Sequence, residues 1–314
     1  MELNNYLERN KPELIKVLQE VVELESPSND KQAVDKLVNY LAQMNSCPDI
    51  KTEIIPQQEV GNCLRIEWGS GSEQILLLCH LDTVWPLGEL ARRPVKIEDG
   101  KMYGPGVYDM KGGTIQAFFA LRALRELGIK TDKRIVFFCN SDEETGSKYS
   151  RVQIEAEALR SKWVLVPEPT TGSEGAVKVW RKGAANYHLS ITGRAAHAGT
   201  DHEKGANALH ELAHQILKLE GMTDYGVGTT VNVGVAQGGS VSNVVPEFAA
   251  AEVDVRVKVM DEAHRIEKEI LALTPVLKGT SIKVSGKLNR PPMEATDGKM
   301  ALYAHAKTLA KELC

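Results

Sequence analysis

The sequence of 314 residues carries a formal net charge of −4, with 42% hydrophobic and 25% charged residues, an ordinary composition for a soluble globular protein of two domains. It has no long basic run and no apolar stretch of membrane-spanning length, so neither nucleic acid nor a membrane is expected as a partner. Residues 1–20 lack the apolar core of a secretion signal. The five cysteines are scattered without a C-x-x-C pair, which predicts reduced thiols and a cytoplasmic location.

The first half of the chain combines helical patterns with short apolar runs. Apolar residues recur at helical spacing over residues 14–22 and 34–41, and a further helix is predicted over Thr114–Leu127. Three almost wholly apolar runs predict strands that are buried on both faces, as in a parallel sheet: Ile75–Cys79, Ile135–Cys139 and Val164–Val166. The alternation of strand, helix and strand favours a βαβ unit.

The pattern changes near Lys178 to strand, helix, two strands, helix and strand, which is the order of a ferredoxin-like fold. The predicted elements are Val179–Ile191, Ala206–Leu219, Thr230–Val235, Ala249–Val259, Asp261–Leu273 and Ser281–Ser285. We therefore predict an α/β fold with a mixed, mainly parallel sheet and flanking helices, plus an inserted ferredoxin-like α+β domain. The predicted limits are 1–177 and 288–314 for the α/β domain and 178–287 for the insertion.

Charged residues follow the three apolar runs of the first domain. His80 follows the first run directly, and Glu168 follows the third after one proline. Glu143 and Glu144 follow the second run after a short turn. Asp109 lies in a Gly-rich loop that opens the predicted helix. Because neighbouring parallel strands end at one edge of a sheet, we expect these side chains to meet there.

These residues form a candidate metal site. Each of them alone is most simply a polar loop or turn residue, but their shared position at strand ends favours a site. Gathered carboxylates repel one another unless cations offset their charge, and imidazole with carboxylates suits zinc, cobalt or manganese. Asp82, two residues beyond His80 in extended chain, is placed to orient the imidazole.

Five segments resemble the zinc-dependent exopeptidase family that includes glutamate carboxypeptidase, acetylornithine deacetylase, succinyl-diaminopimelate desuccinylase and aminoacylase. The segments are His80–Thr83, Tyr108–Gly113, Ser141–Ser147, Pro167–Thr170 and Ala196–Gly199. Two of them, Ser141–Ser147 and Pro167–Thr170, are most similar to glutamate carboxypeptidase. The resemblance implies a hydrolase that cleaves an amide or peptide bond next to a free carboxylate, in a small peptide or an N-acyl amino acid.

The resemblance also implies roles for the clustered residues. His80, Asp109 and Glu168 would bind one zinc ion, and Asp109 would bridge it to a second ion held by Glu144. Cobalt or manganese could replace zinc. Glu143 would be the general base that takes a proton from the attacking water, and Asp82 is included with it as a catalytic residue.

The predicted insertion resembles the lid and dimerisation domain of this family, which implies a homodimer. His197, within Gly193–Gly199, would help to stabilise the oxyanion. Asn243, in the loop Gly238–Pro246, would contact the substrate. Arg290 is expected to hold a substrate carboxylate.

One motif competes with this interpretation. His210–His214 reads H-E-x-x-H, the zinc-binding pattern of zincins. It lies on the middle helix of the predicted insertion, whose apolar residues indicate packing, so a structural helix is the favoured interpretation. No G-x-S-x-G, G-x-G-x-x-G or P-loop pattern occurs, which argues against a nucleophilic hydrolase and against nucleotide chemistry.

The sequence also departs from the family. The segment that supplies the last histidine ligand of the second zinc is not matched before Cys314, and His305 belongs to the helix that precedes this segment. We therefore expect an incomplete second zinc site and impaired turnover. The alternative is a catalytically inactive remnant that acts as a metal-binding, ligand-binding or dimerisation module.

Overall fold

We describe the protein from a computed structural model, in which residues 2–172 and 175–313 are described, the side chain of Leu313 excepted. The chain divides into two units, residues 1–172 and 173–314. The three domain limits given above stay predictions. No helix in the described residues is long and apolar enough to cross a bilayer.

The first unit is built on a five-stranded mixed sheet of order β1-β2-β6-β3-β7. β3 is parallel to both β6 and β7, whereas β2 is antiparallel to β1 and β6. The predicted mixed, mainly parallel sheet is therefore confirmed. The elements are α1 (Glu2–Glu23), α2 (Lys31–Met44), β1 (Ile50–Ile55), β2 (Cys63–Trp68), β3 (Glu73–His80), α3 (Glu89–Arg92), β4 (Lys96–Glu98), β5 (Lys101–Tyr103), α4 (Gly112–Glu126), β6 (Lys133–Asn140), α5 (Arg151–Arg160) and β7 (Ser161–Leu165).

Helices cover the two faces of this sheet unequally. α1, α2 and α4 pack on one face, where the ring of Phe118 stacks on that of Phe137 with centroids 4.4 Å apart. α5 covers part of the other face through Ile154 and Ala158. β6 is buried from Ile135 to Asn140 for this reason, as its continuous apolar run predicts.

The expectation for the third strand is wrong in part. The run Val164–Val166 was expected to be buried on both faces, but its residues are 37%, 42% and 51% exposed. Among residues 2–172 and 175–313, β7 pairs with β3 alone and lies at the edge of the sheet. An apolar run predicts a strand, whereas the burial of that strand depends on which elements the fold places beside it.

The second unit contains a four-stranded antiparallel sheet of order β11-β8-β10-β9. Residues alternate between buried and exposed along β8, and the buried side packs against α6 and α7. This confirms the predicted ferredoxin-like order. The elements are β8 (Gly183–Thr192), α6 (Ala208–Glu220), β9 (Thr230–Gly238), β10 (Phe248–Val257), α7 (Met260–Leu271), β11 (Ser281–Arg290) and α8 (Asp297–Leu313).

Candidate metal centre

Three parallel strands deliver the candidate ligands to one edge of the first sheet. His80 ends β3 directly opposite Asn140, the last residue of β6. The turn that carries Glu143 and Glu144 therefore starts at the same level as His80. β7 runs parallel to β3 on its other side, and Glu168 follows that strand. The strand ends thus gather the residues as expected for an α/β sheet.

His80 is buried, with 2% of its surface exposed. Its Nδ1 lies 3.0 Å from the backbone oxygen of Asp82. Its Nε2 lies 3.1 Å from Asp109 Oδ1 and 4.0 Å from Glu168 Oε1. A proton on Nδ1 can be donated to the Asp82 carbonyl, so Nε2, which faces the carboxylates, is the nitrogen that a metal ion would take in place of a proton. This Nδ1–H form is the tautomer of a histidine that binds metal through Nε2.

Asp82 connects His80 to the turn that bears the two glutamates. Its carboxylate is 1% exposed and accepts hydrogen bonds from the backbone N–H of Glu143 (3.1 Å) and Glu144 (3.2 Å). The hydroxyl of Ser28 donates to the same carboxylate at 2.6 Å. The backbone oxygen of Asp82 thus lies beside the imidazole while its carboxylate holds the backbone of the turn, and the role of Asp82 in orienting His80 stays a prediction.

Asp142 is a site residue that sequence reasoning missed. Its carboxylate is fully buried and accepts from the backbone N–H of Tyr149 (2.8 Å) and Ser150 (3.3 Å) and from the Ser150 hydroxyl. Its backbone oxygen accepts from the N–H of Ser147 at 2.7 Å. These bonds close the loop that bears the two glutamates. The available signal was an Asp placed two residues after the end of a buried strand, where a short side chain bonds nearby backbone.

The segment Val107–Lys111, which carries Asp109, is attached to α1 by a buried lysine. Lys111 Nζ donates to the backbone oxygens of Val21 (3.0 Å) and Leu24 (2.8 Å). Burial lowers the pKa of Lys111 to about 7. Asp109 itself keeps a half-exposed side chain. Sequence reasoning missed Lys111, because a lysine in a polar loop resembles a surface charge.

The side chains form two overlapping groups of possible metal ligands. One ligand atom each from His80, Asp109 and Glu144 lies within 4.8 Å of the others, and the same holds for His80, Glu143 and Glu168. The resemblance implied a different division, with Glu168 beside Asp109 and with Glu143 as the base. His80 is the single histidine of residues 1–172, so one imidazole is shared by both groups.

The electrostatics of the centre favour a cation. Burial alone would lower the pKa of His80, but the adjacent Asp109 and Asp82 carboxylates outweigh it and raise this pKa to about 11. Burial and the charges of Asp109 and Asp82 also raise the pKa of Glu144, although His80 opposes the shift. Burial is the largest cause of the Glu144 shift, and the negative charges that contribute to both shifts are ones that a divalent ion would offset. The donor set and the field therefore fit a metal ion.

In the second unit, the loops of two predicted substrate-binding residues meet. The N–H of Ala198 donates to the backbone oxygen of Asn243 at 2.9 Å, and His197 pairs with Val244 in an isolated β-bridge. His197 Nδ1 accepts a hydrogen bond from the N–H of Gly199 at 3.1 Å. The ring proton is therefore on Nε2, which leaves His197 with a donor that can face a ligand.

Arg290 lies at the other end of the same sheet. It is paired with Ala184 at the start of β8, whereas the His197 loop follows Thr192 at the end of that strand. Eight residues separate these two positions of β8, or about 27 Å at the rise of an antiparallel strand. The structure thus does not bring Arg290 together with His197 and Asn243, and its role in substrate binding stays a prediction.

The glutamate of the H-E-x-x-H motif holds a loop of the second unit. Glu211 is fully buried, and its carboxylate accepts from the backbone N–H of Val276 and Leu277 at 3.0 and 2.6 Å. The rings of His210 and His214 stack with centroids 4.9 Å apart. Because the carboxylate holds a loop of the protein, these contacts support the structural interpretation of this helix.

Comparison with known proteins gives one family match and several relatives. The family model of the M20 peptidase dimerisation domain matches residues 179–276. Carboxypeptidase G2 from Pseudomonas sp. (strain RS-16) is 32% identical over 310 residues, which cover 96% of this chain and 74% of the relative. Acetylornithine deacetylase from Buchnera aphidicola is 27% identical over 278 residues, which cover 79% of this chain and 68% of the relative.

The fold is also similar to solved structures. Aminopeptidase PepT from Bacillus cereus aligns with a TM-score of 0.76 at 22% identity, over 96% of this chain and 81% of that one. At this identity the likeness concerns the fold alone.

Proposed function

The chain belongs to the M20 family of peptidases and amidohydrolases, and on this premise we propose that it is a zinc-dependent hydrolase of the carboxypeptidase kind. It would cleave an amide or peptide bond next to a free carboxylate, in a small peptide or an N-acyl amino acid. The observation that carries this proposal is the convergence of one imidazole and four carboxylates at the strand ends of the first unit. The name of the carboxypeptidase relative supports the peptide class of substrate.

We propose that His80, Asp109 and Glu168 would hold one ion, and that Asp109 and Glu144 would hold a second. Zinc suits this donor set, and cobalt or manganese would fit it as well. Bound ions supply Lewis-acid polarisation of the scissile carbonyl and make water more acidic. Each ion also neutralises part of the carboxylate repulsion that raises the pKa of Glu144.

The protein's own residues then move and hold protons. We propose that Glu143 removes a proton from the attacking water and delivers it to the leaving nitrogen. Asp82 keeps Glu143 in place through the backbone bond of 3.1 Å and keeps His80 in the tautomer that presents Nε2. The Nε2–H of His197 suits the stabilisation of an oxyanion, while Asn243 and Arg290 are proposed to contact the substrate.

We further propose a homodimer formed through the second unit, because that unit matches the dimerisation domain of the family, and a cytoplasmic location. A second candidate function follows from the single imidazole in the first unit. One ion bound by His80 and carboxylates, without turnover, would make the chain a metal-binding or ligand-binding module.

The deciding experiment measures bound zinc and hydrolysis on the same preparation. The purified chain is freed of chelator and assayed for zinc per chain, and then for the release of amino acid from N-acyl and dipeptide substrates ending in glutamate. Glu143→Gln should reduce turnover by at least about a hundredfold while leaving the zinc content unchanged. The matched control is Glu155→Gln, an exposed carboxylate on α5, which should behave like the unsubstituted chain.

Each result has a separate meaning. Two zinc ions with turnover that depends on Glu143 would support the hydrolase. One zinc ion without turnover would support the binding module. A chain that binds no zinc, or hydrolysis unaffected by Glu143→Gln, would refute the proposed centre.

A further inference from the structure

Glu168 lies in a segment that is fixed from both sides by the segment that carries Asp109. Before Glu168, the backbone oxygen of Pro167 occupies the space of a side chain at Gly113: a Cβ there would lie 1.8 Å from it. After Glu168, the hydroxyl of Tyr108 donates to the backbone oxygen of Thr170 at 3.2 Å. Tyr108 and Gly113 both flank Asp109, so one short stretch holds the Glu168 segment at two points.

These two contacts matter because, in the part of the chain that the structure describes, strand pairing and apolar burial hold this segment only weakly. It follows β7, an edge strand that is paired on one side only. The residues just before it, Leu165 and Val166, are 42% and 51% exposed, so apolar burial contributes little to their placement. Tyr108 is itself 67% exposed, which means that burial does not determine its position either. Its bond to Thr170 crosses directly between the segments of two candidate ligands.

We propose that Tyr108 and Gly113 are positioning residues that set the place of the Glu168 carboxylate relative to Asp109. This inference rests on the proposed function, in which both carboxylates bind metal. Residues that orient a ligand from behind commonly change metal affinity by 10–100-fold when they are replaced. Tyr108 would act through its hydroxyl, and Gly113 through the lack of a side chain.

The test is a metal titration with a double-mutant cycle. Metal-free protein is titrated with Co²⁺, and the visible absorption of the bound ion gives the affinity and the number of sites without any turnover assay. Tyr108→Phe, which removes only the hydroxyl, should weaken Co²⁺ binding about tenfold. In a Glu168→Ala background the same substitution should have no further effect, because its influence passes through Glu168.

Matched controls separate positioning from loss of stability. Tyr103→Phe removes the hydroxyl of another exposed tyrosine in the first unit and should leave the affinity unchanged. Gly113→Ala should weaken Co²⁺ binding at least as much as Tyr108→Phe does, whereas Gly298→Ala has no atom within 4 Å of the added Cβ and should have no effect. Urea unfolding of each variant checks that the Tyr108→Phe chain is folded.

Three results would overturn the inference. If Glu168→Ala weakens Co²⁺ binding but Tyr108→Phe does not, the ligand assignment stands and the positioning role is wrong. An equal effect of Tyr108→Phe with and without Glu168 would also contradict the positioning role. If Glu168→Ala leaves binding unchanged, the proposed metal centre fails, and the positioning role fails with it.

Discussion

Replacing Glu211 by alanine tests whether the H-E-x-x-H helix is structural. The carboxylate of Glu211 accepts from the backbone N–H of Leu277 at 2.6 Å and of Val276 at 3.0 Å. It also accepts from the hydroxyl of Thr280 at 3.1 Å and from the side-chain amide of Gln215 at 2.6 Å. Alanine removes the acceptor for all four donors.

The expected loss of stability depends on which of the four donors keep another hydrogen-bond acceptor. The Thr280 hydroxyl also reaches the backbone oxygen of Leu277, and the Gln215 amide also reaches that of Thr274. The two backbone N–H groups lose their acceptor, at about 1–3 kcal/mol each. Because their loop lies at the surface and water can reach part of it, we expect the free energy of unfolding of the second unit to fall by about 3 kcal/mol.

The effect of Glu211 should depend on pH with a defined sign. Burial alone would raise the pKa of Glu211, but the hydrogen bonds from Leu277, Gln215 and Val276 outweigh it and lower this pKa below 4.5. When folding lowers a carboxyl pKa, it adds stability at pH values above the pKa of the unfolded chain. That stability is lost as the pH falls through the pKa of the folded chain. The difference in the free energy of unfolding between the original chain and Glu211→Ala should therefore have its full value at pH 7 and shrink below about pH 4.

Hydrogen exchange followed by mass spectrometry measures this loss in the second unit separately from the first. Peptides from β8 and β10 report the opening free energy of that unit, and zinc content is measured on the same samples. The control is the double variant His210→Ala, His214→Ala, which should stay within about 0.5 kcal/mol of the original chain and keep its zinc. We expect about 1–3 kcal/mol for each N–H that loses its acceptor. A loss of stability below about 1 kcal/mol for Glu211→Ala would therefore show that the structural interpretation is wrong. Loss of zinc from the histidine double variant would show the same.

Two further predictions concern the metal centre. Asp82→Asn places an amide against the backbone N–H groups of Glu143 and Glu144, so we expect Co²⁺ affinity to fall by about 10–100-fold. Calorimetry measures this affinity, and an unchanged value would exclude a positioning role for Asp82. His80 holds a proton up to about pH 11 in the metal-free chain, and this raised pKa adds stability that is complete below pH 6.5 and lost as the pH rises toward 11. Because a metal ion must displace that proton, the apparent affinity should rise by about tenfold per pH unit between 7 and 9; a flat profile would contradict it.

Local patterns in the chain were sufficient for much of the fold. The runs that became β3 and β6, and the β-α-β-β-α-β order after Lys178, are periodicities that neighbouring residues carry by themselves. The placement of His80 and Glu168 at strand ends follows from the run of parallel strands, because parallel strands end at one edge of a sheet. The resemblance to a known family rests on the same short segments.

Other features depend on contacts between distant parts of the chain. The exposure of Val164–Val166 follows from the place of β7 at the edge of the sheet, which no property of the run itself encodes. The burial of Glu211 depends on a loop 65 residues further along the chain. A helical pattern indicates which residues share a face, but not which loop will cover that face.

The sequence by itself determined β3, β6 and the order of the elements after Lys178, because strand and helix formation depend on residues that are close in the chain, and it selected the candidate residues of the metal centre. Only the tertiary structure decided how those residues are grouped. It showed that Asp82 holds the turn 62 residues away and that Arg290 lies far from His197, and it divided the carboxylates around His80 into two groups. These relations depend on strand register and side-chain packing, which arise only when distant segments come together.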